Sequence, residues 1–140
     1  MRIYTGGTFD VPHLGHLNFF NKIKEMFPMN PIHVALNTDE FVKEFKGKAP
    51  LFTYAERYKF LDMIGGLLLS KNFGGADSKP AILSVNPDII IVGSDWLKKD
   101  YCKQMGFTPE WLEDHNIALM YIPYTQNIST TIIKERLNAR

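Results

Sequence analysis

Four short apolar runs, separated by segments with helical signals, constrain the fold of this chain more than any other feature. The runs occupy residues 2–7, 32–38, 88–95 and 117–123, with the sequences RIYTGG, IHVALNT, DIIIVGSD and IALMYIP. They are rich in β-branched residues and are bounded by Pro, Asn, Asp or Gly, as strands usually are. Because their apolar character is nearly continuous, they predict strands buried on both faces, as in a parallel sheet covered by helices.

Segments with helical signals lie between these runs. Residues 14–27 keep apolar side chains at helical spacing. Thr53–Glu56 predicts a capping box ahead of YAERYKFLDMI, and Thr108–Pro109 predicts the first turn of another helix. Ser129 is the expected cap of a final helix. Strands that alternate with helices along residues 1–140 predict a single α/β domain with a mostly parallel sheet.

The composition is that of an ordinary globular protein and argues against several classes of function. The chain is 45% hydrophobic and 22% charged, with a formal net charge of +1. A near-neutral charge argues against bulk attraction to nucleic acid or to an anionic membrane surface. The single cysteine, Cys102, excludes an intramolecular disulfide. The apolar run MIGGLLL is far shorter than the about 20 residues that span a bilayer. We therefore expect a soluble, cytoplasmic protein.

The stretch GGTFDVPHLGH connects the first predicted strand to the first predicted helix. Gly6 and Gly7 let backbone N–H groups approach a ligand closely, and a helix N-terminus favours an anion. His13 and His16 are three residues apart, so on one helical turn they face the same way. This arrangement favours phosphate oxygens over a metal, because no Cys or further His lies at ligand spacing. The alternative is a glycine turn with two exposed histidines.

Hydroxyl side chains cluster where the last helix is expected to begin. Ser129, Thr130 and Thr131 combine three hydroxyls with the free N–H groups of a helix N-terminus, which suits phosphate oxygens. A plain helix cap, the alternative, needs only one hydroxyl. The sequence therefore offers a candidate phosphate site at each end of the chain.

At these two motifs the sequence resembles the cytidylyltransferase-like nucleotidyltransferases. TFDVPHLGH is similar to the family signature T/S-x-F-D-x-x-H-x-G-H, and TQNISTT is similar to its C-terminal R-T-E-G-I-S-T-T. The resemblance implies a small Rossmann-like α/β fold with a mostly parallel five-stranded sheet and helices on both faces. It also implies transfer of a nucleoside monophosphate from CTP or ATP to a phosphorylated small molecule, with release of pyrophosphate. A homodimer that uses Mg²⁺ bridging the triphosphate is the family expectation.

The resemblance also implies roles for individual residues. The implied catalytic residues are His13, His16 and Lys46. The implied nucleotide-binding residues are Gly7, Thr8, Phe9, Asp10, Lys48, Gly93, Asp95, Thr125, Ser129 and Thr130. The implied substrate-binding residues are Arg57 and Trp96. No side chain is expected to bind a metal directly.

Several of these residues also have a simpler structural interpretation. The lysines of KEFKGKAP, which are expected on a loop that closes over the α-phosphate, could be solvated surface. Asp10 could brace its turn through backbone N–H groups, and Arg57 could be an exposed helix charge. Asp95 could accept from the exocyclic amine that cytosine and adenine carry. Alternatively, Asp95 could cap the next helix while Trp96 lies in the core.

The chain departs from the family pattern at two arginines. The middle motif R-Y-V-D-E-V-I is absent, and Gly65 lies near the position of its arginine. Tyr124 replaces the arginine that opens the C-terminal motif, and tyrosine cannot copy bidentate phosphate contacts. The departures weaken the inference of both the nucleotide and the acceptor.

Three hypotheses of function remain. The first is a cytidylyltransferase for a phosphorylated alcohol or polyol of the glycerol-3-phosphate kind. The second is an adenylyltransferase for a sugar phosphate, phosphopantetheine or flavin mononucleotide. The third is a nucleotide-binding module that has lost catalysis. A nucleic-acid-binding role is not expected, because basic and aromatic residues are not interleaved.

Overall fold

The computed structural model describes residues 1–75, 78–123 and 130–140, apart from the side chain of Thr130. The strands are β1 (Ile3–Gly7), β2 (Ile32–Asn37), β3 (Leu67–Asn72), β4 (Ile89–Gly93) and β5 (Ala118–Ile122). The α-helices are α1 (Leu14–Met26), α2 (Asp39–Lys46), α3 (Tyr54–Asp62), α4 (Ser78–Val85), α5 (Tyr101–Met105), α6 (Pro109–Asp114) and α7 (Thr130–Asn138). A short 3₁₀ helix, Ser94–Lys98, follows β4.

The five strands form one parallel sheet in the order β3-β2-β1-β4-β5. This confirms the predicted α/β class and the four strands predicted from the apolar runs. The chain moves outward from β1 to one edge and then returns to place β4 on the other side of β1. In sheets of this kind, ligands bind outside the carboxyl ends of the strands at this switch point.

Two apolar clusters, one on each face of the sheet, explain why the strand sequences are continuously apolar. In β4, Ile89 and Ile91 join the cluster formed with α1 and α3. Ile90 and Val92 point the other way, into the cluster formed with α2, α4, α5 and α6. Successive strand residues face opposite sides, so a strand with helices on both faces needs apolar side chains at every position.

The strand β3 was not predicted from the apolar runs. Its three leucines lie in the stretch considered above only as a membrane segment, and none is β-branched. β3 is an edge strand, and Leu68 is 50% exposed while Leu67 and Leu69 pack against the α1–α3 cluster. Leu68 and Ser70 on one face of β3 are exposed, and the strand ends in Ser70, Lys71 and Asn72, so its sequence lacks the continuous apolar character used to predict the others.

The predicted helix starts are confirmed where the capping residues are described. The amide of Glu56 donates to Thr53 Oγ1, and the amide of Thr53 donates to the Glu56 carboxylate, which completes the predicted capping box of α3. Thr108 caps α6, with Pro109 in its first turn. The predicted cap of α7, Ser129, lies outside the described residues. No helix among those described is long and apolar enough to cross a membrane.

Candidate active site

A cleft of about 630 Å³ lies at the carboxyl ends of β1 and β4. It is lined by residues from both sequence motifs, since Thr131 and Lys134 of α7 face the same space as the β1–α1 connection. Residues with predicted roles that line it are Gly7, Thr8, Phe9, Asp10, His16, Lys46, Lys48, Asp95 and Trp96. The fold thus brings together two ends of the chain that the sequence analysis could relate only by resemblance.

His13 and His16 form a stacked pair at the N-terminus of α1, with ring centroids 3.7 Å apart. His16 lines the cleft, and the His13 ring packs against the His16 ring. His13 is also the N-cap of α1, because the amide of Gly15 donates to its Nδ1 at 3.0 Å. A neutral imidazole that accepts at Nδ1 carries its proton on Nε2. His13 therefore presents an N–H donor at Nε2.

Two ring nitrogens of this pair are buried without a partner among the described residues. They are His13 Nε2 and His16 Nδ1. Buried polar atoms in native proteins are nearly always hydrogen-bonded. The alternative of two exposed histidines is wrong, since their exposed fractions are 8% and 9%. Unpartnered nitrogens beside a helix N-terminus are suited to a ligand that carries oxygen atoms and negative charge.

Burial holds both imidazoles neutral in the free protein. Desolvation lowers the pKa of His13. Desolvation, together with repulsion from His13, lowers the pKa of His16 to about 3. At neutral pH both imidazoles are therefore uncharged hydrogen-bonding groups before a ligand binds. A bound anion would raise both pKa values again.

His16 is expected to make the free protein sensitive to acid. Unfolding returns its pKa to about 6.5, so below that pH the unfolded state binds a proton that the folded state refuses. Its stabilising contribution is complete above pH 6.5 and is lost as the pH falls toward 3. Between pH 7 and pH 4.5, wild type should therefore lose roughly 2 kcal/mol more unfolding free energy than His16→Gln. Urea denaturation at both pH values checks this, and equal losses in the two proteins would contradict it.

Asp10 acts as the brace that was considered as its alternative role. Its carboxylate accepts from the amides of Leu51 and Phe52 at 3.0 and 2.9 Å, and from Lys134 Nζ at 2.9 Å. Burial by itself raises the pKa of Asp10, but these three partners outweigh burial and place the pKa below its usual value. Asp10 thereby ties the loop before α3 and the last helix to the β1–α1 connection. Its direct contact with a nucleotide stays a prediction.

Arg57 is buried beneath the cleft, which corrects the interpretation that it is an exposed helix charge. Its side chain is 0% exposed. It donates to the carbonyl oxygens of Thr8 and Phe52 at 2.8 and 3.0 Å, and it pairs with Asp39 at 2.7 Å. Three of its five N–H donors thus have protein partners, and the buried side chain has no surface open to the cleft. Arg57 is a positioning residue that holds the backbone of Thr8.

The lysines of KEFKGKAP were expected on a loop, but only Lys48 lies outside a helix. Lys43 and Lys46 belong to α2, which begins after the Thr38 cap and ends at Gly47, where φ is 82°. Only glycine adopts that left-handed conformation without strain, which explains where the helix stops. Lys46 and Lys48 both line the cleft, so the change of local structure keeps the two predicted lysines at the site.

Positive charge from separate elements accumulates around Lys46. Desolvation and the nearby charges of Lys99 and Lys134 lower the pKa of Lys46, while Asp10 and Asp95 oppose that shift. Lys99 and Lys134 also line the cleft. An anionic ligand placed among these ammonium groups would relieve their mutual repulsion.

An aromatic wall follows β4. The rings of Phe45 and Trp96 are 6.5 Å apart and nearly parallel, and Lys99 Nζ lies 5.4 Å from the Trp96 ring centroid. Trp96 packs against the core and also lines the cleft, so it combines its two predicted environments. Asp95 is exposed in the first turn of the 3₁₀ helix. Gly93 is the residue before that helix, and its backbone pairs with β5.

Sequence analysis did not predict several cleft residues. They are Thr5, Asn37, Val42, Phe45, Lys99, Lys134, Glu135 and Asn138. Apart from Phe45, which lies within KEFKGKAP, they are outside the stretches singled out in the sequence as candidate sites. One signal was available, because Lys134 lies one helical turn after the hydroxyl cluster and therefore shares its face. The predicted residues Thr125 and Ser129 and the side chain of Thr130 lie outside the described part of the chain.

A parallel α/β sheet with a phosphate-adapted crevice at its switch point is the architecture of nucleotide-binding domains. The family model described as cytidylyltransferase-like matches residues 4–136. The chain therefore belongs to the cytidylyltransferase-like family, and it is an enzyme of the nucleotidyltransferase class.

Individual relatives agree with this assignment. The glycerol-3-phosphate cytidylyltransferase of Bacillus subtilis (strain 168) is 31% identical over 139 residues, covering 97% of this chain and 96% of the relative. That of Staphylococcus aureus (strain NCTC 8325 / PS 47) is 29% identical, covering 97% and 94%. The FAD synthase of Thermococcus sibiricus (strain DSM 12597 / MM 739) is 33% identical over 98 residues, covering 68% and 64%.

A solved structure shares the fold. The lipopolysaccharide core biosynthesis protein from Thermoplasma volcanium GSS1 matches with a TM-score of 0.66 at 21% identity, covering 90% of this chain and 98% of that one. At this identity the likeness supports the architecture and leaves substrates to other arguments.

Proposed function

We propose that the protein transfers CMP from CTP to the phosphate of a small phosphorylated alcohol or polyol, of the glycerol-3-phosphate kind. The observation that carries the proposal is the stacked His13–His16 pair, of which His16 lines the cleft and each ring has one buried nitrogen with no partner among the described residues. The choice of CTP and of the acceptor is supported by similarity over nearly the whole chain to glycerol-3-phosphate cytidylyltransferases.

The proposed reaction is an in-line displacement at the α-phosphorus of the nucleotide. An oxygen of the acceptor phosphate forms a bond to that phosphorus, and the bond from phosphorus to the bridging oxygen of the pyrophosphate group breaks. Pyrophosphate leaves with the electron pair. No covalent enzyme intermediate is required, so catalysis consists of positioning and of stabilising charge in the transition state.

Side chains of the cleft supply both contributions. His13 and His16 hold the triphosphate at the N-terminus of α1 through ring N–H donors and the helix dipole. Lys46, or Lys48, follows the α-phosphate as charge develops on its oxygens. Thr125, Ser129 and Thr130 are proposed to bind the β and γ oxygens, as the family motif implies. Asp10 keeps α7 in place through its contact with Lys134.

A magnesium ion would supply charge neutralisation on the triphosphate. Within residues 1–75, 78–123 and 130–140, no group of three His, Cys, Asp or Glu side chains could hold a metal ion. The carboxylate of Asp10 is already occupied by two amides and an ammonium group. Mg²⁺ typically binds through one or two carboxylates and the substrate phosphates and keeps several waters, so a dedicated cluster of protein ligands is not needed. Its use, like a homodimeric state, stays a prediction.

A second candidate is an adenylyltransferase that uses ATP. Similarity to a FAD synthase over 68% of this chain favours it. Asp95 does not separate the two, because cytosine and adenine both carry an exocyclic amine donor. The acceptor region would include Phe45, Trp96 and Lys99, where an aromatic wall and an ammonium group lie together.

Turnover with paired substrates tests the proposal. The protein is incubated with Mg²⁺ and pyrophosphatase and with either CTP or ATP, and phosphate release is followed with glycerol 3-phosphate or flavin mononucleotide as acceptor. We expect release with CTP and glycerol 3-phosphate. Release only with ATP would replace the proposal by the second candidate. No release with CTP and any phosphorylated alcohol or polyol would overturn it.

A further inference from the structure

A chain of polar side chains joins the cleft to the edge of the sheet. Thr8, Asn37 and Asn72 lie at the carboxyl ends of β1, β2 and β3, which are neighbours in the sheet. Asn72 Nδ2 donates to Asn37 Oδ1 at 2.7 Å, and Asn37 Nδ2 donates to Thr8 Oγ1 at 2.9 Å. Asn37 is 4% exposed and Asn72 is 1% exposed. Thr8 and Asn37 line the cleft, whereas Asn72 lies behind them.

A backbone amide sets the direction of the two hydrogen bonds that join Asn72, Asn37 and Thr8. The amide of Gly74, which can only donate, donates to Asn72 Oδ1 at 3.2 Å. The amino group of Asn72 must then face Asn37, which has to accept with its oxygen. Asn37 is left to donate its own amino group to Thr8. The amide orientations are therefore determined without choosing between nitrogen and oxygen at either asparagine.

The position of that backbone group is itself well defined. Gly74 has a φ of 74°, and a Cβ added there would overlap the ring of Phe41. Ser78 Oγ donates to the same oxygen of Asn72 at 3.2 Å, which supports the orientation from α4. The oxygen of Asn72 thus has two donors on one side and leaves its amino group pointing toward the cleft.

The consequence falls on the hydroxyl of Thr8. Its oxygen accepts from Asn37, so its hydrogen remains available to donate, and no described residue accepts it. The backbone carbonyl of Thr8 is held at 2.8 Å by Arg57. We propose that Asn72, acting through Asn37, is a positioning residue that keeps the Thr8 hydroxyl as a donor to a phosphate oxygen of the nucleotide or the acceptor.

A phosphate oxygen is the group that this arrangement selects. Thr8 shares the cleft with Lys46, Lys48, Lys99 and Lys134, which attract an anion. A phosphate oxygen ionised at neutral pH accepts hydrogen bonds and offers none, so it matches a hydroxyl whose hydrogen is free to donate toward the cleft. The inference rests on the proposed function, because that function supplies the phosphate groups.

Three variants test it. Thr8→Val removes the donor and keeps the shape of the side chain. In Asn72→Asp, one carboxylate oxygen accepts from Gly74 and the other faces Asn37. Asn37 must then turn its amino group toward residue 72 and offer its oxygen to Thr8. Thr8 would then donate to Asn37 instead of the ligand. Each change should weaken phosphate-ligand binding about 10- to 100-fold, the range for a lost hydrogen bond to a charged group. The double variant should be no weaker than Thr8→Val.

Titration calorimetry with CTP, ATP and glycerol 3-phosphate gives the binding constants. Weaker binding of nucleotide alone assigns Thr8 to the triphosphate, and weaker binding of glycerol 3-phosphate alone assigns it to the acceptor phosphate. Thr8→Ser keeps the hydroxyl and should restore at least part of the affinity. Ser78→Ala removes one supporting donor and leaves Gly74 in place, so it should change affinity less than two-fold and serves as the matched control.

The outcomes separate the two proposals. Wild type that binds none of the three probes overturns the proposed function together with this inference. Wild type that binds, with Thr8→Val binding equally tightly, overturns this inference alone. If the fold-losses of affinity in the two single variants multiply in the double variant, Asn72 does not act through Thr8. If Asn72→Asp does not fold, Asn72→Ala replaces it, with a smaller loss expected that again disappears in the Thr8→Val background.

Discussion

His16→Gln is expected to lower kcat by about 100- to 1,000-fold, the range for removal of one preorganised donor to a transition-state oxyanion. His16 lines the cleft, its ring stacks on His13, and its Nδ1 is buried without a partner among the described residues. Glutamine is neutral and polar, so the variant removes the ring without placing an apolar group at the cleft. The measurement is steady-state turnover with saturating nucleotide and acceptor.

A matched control separates this effect from general damage. His33→Gln changes the same residue type on β2, at a partly buried position outside the cleft. Its kcat should stay within two-fold of wild type. Circular dichroism and thermal unfolding at pH 7 should show that both variants fold. Unchanged turnover in a folded His16→Gln protein would show that the histidine pair does not take part in the reaction.

Arg57→Met is expected to destabilise the protein by about 1–3 kcal/mol, because it leaves hydrogen-bond acceptors beneath the cleft without a donor. These acceptors are the carbonyl oxygens of Thr8 and Phe52, whereas the Asp39 carboxylate is 35% exposed and keeps its hydrogen bond from the amide of Tyr54. Arg57→Lys should recover only part of the loss, since an ammonium group cannot reproduce the planar fork of donors. Urea denaturation at pH 7 measures the free energy of unfolding.

This variant also distinguishes the two roles considered for Arg57. Lys59→Met, an exposed position on the same helix, should change stability by less than about 0.5 kcal/mol. If Arg57→Met kept the stability of wild type and raised the KM for the acceptor instead, direct contact with substrate would be the correct role. The buried geometry predicts instead that Arg57→Met lowers the free energy of unfolding.

Local signals in the sequence predicted the elements whose physics is local. The Thr53–Glu56 capping box and the Thr108 cap need only residues three apart, and both are confirmed. The continuous apolar run of β4 reports burial on both faces, which is why it was readily predicted. β3 failed the same criterion because Leu68 and Ser70 on one of its faces are exposed and the second half of the strand is polar.

The chemistry of the site was less accessible to local reasoning. A histidine pair at helical spacing beside glycines predicted a phosphate site, and the structure shows a stacked pair with buried nitrogens. The family resemblance implied a substrate contact for Arg57, and local reasoning could not test it, because a guanidinium at the start of a helix looks the same in sequence whether it faces ligand or protein. Asn37 and Asn72 carried no signal, because each is a single amide at the end of a strand.

The sequence by itself determined the parallel α/β class, four of the five strands, the first turns of α3 and α6, and the histidine and hydroxyl motifs that identify the family. These depend on periodicity, capping and motif spacing, which act over a few residues. The tertiary structure decided which charges face the cleft and which lie beneath it. Arg57 meets Thr8 across 49 positions of chain and Asp10 meets Lys134 across 124. Hydrogen bonds between such distant residues exist only once the sheet has assembled, so their direction and partners cannot be read from neighbours in the chain.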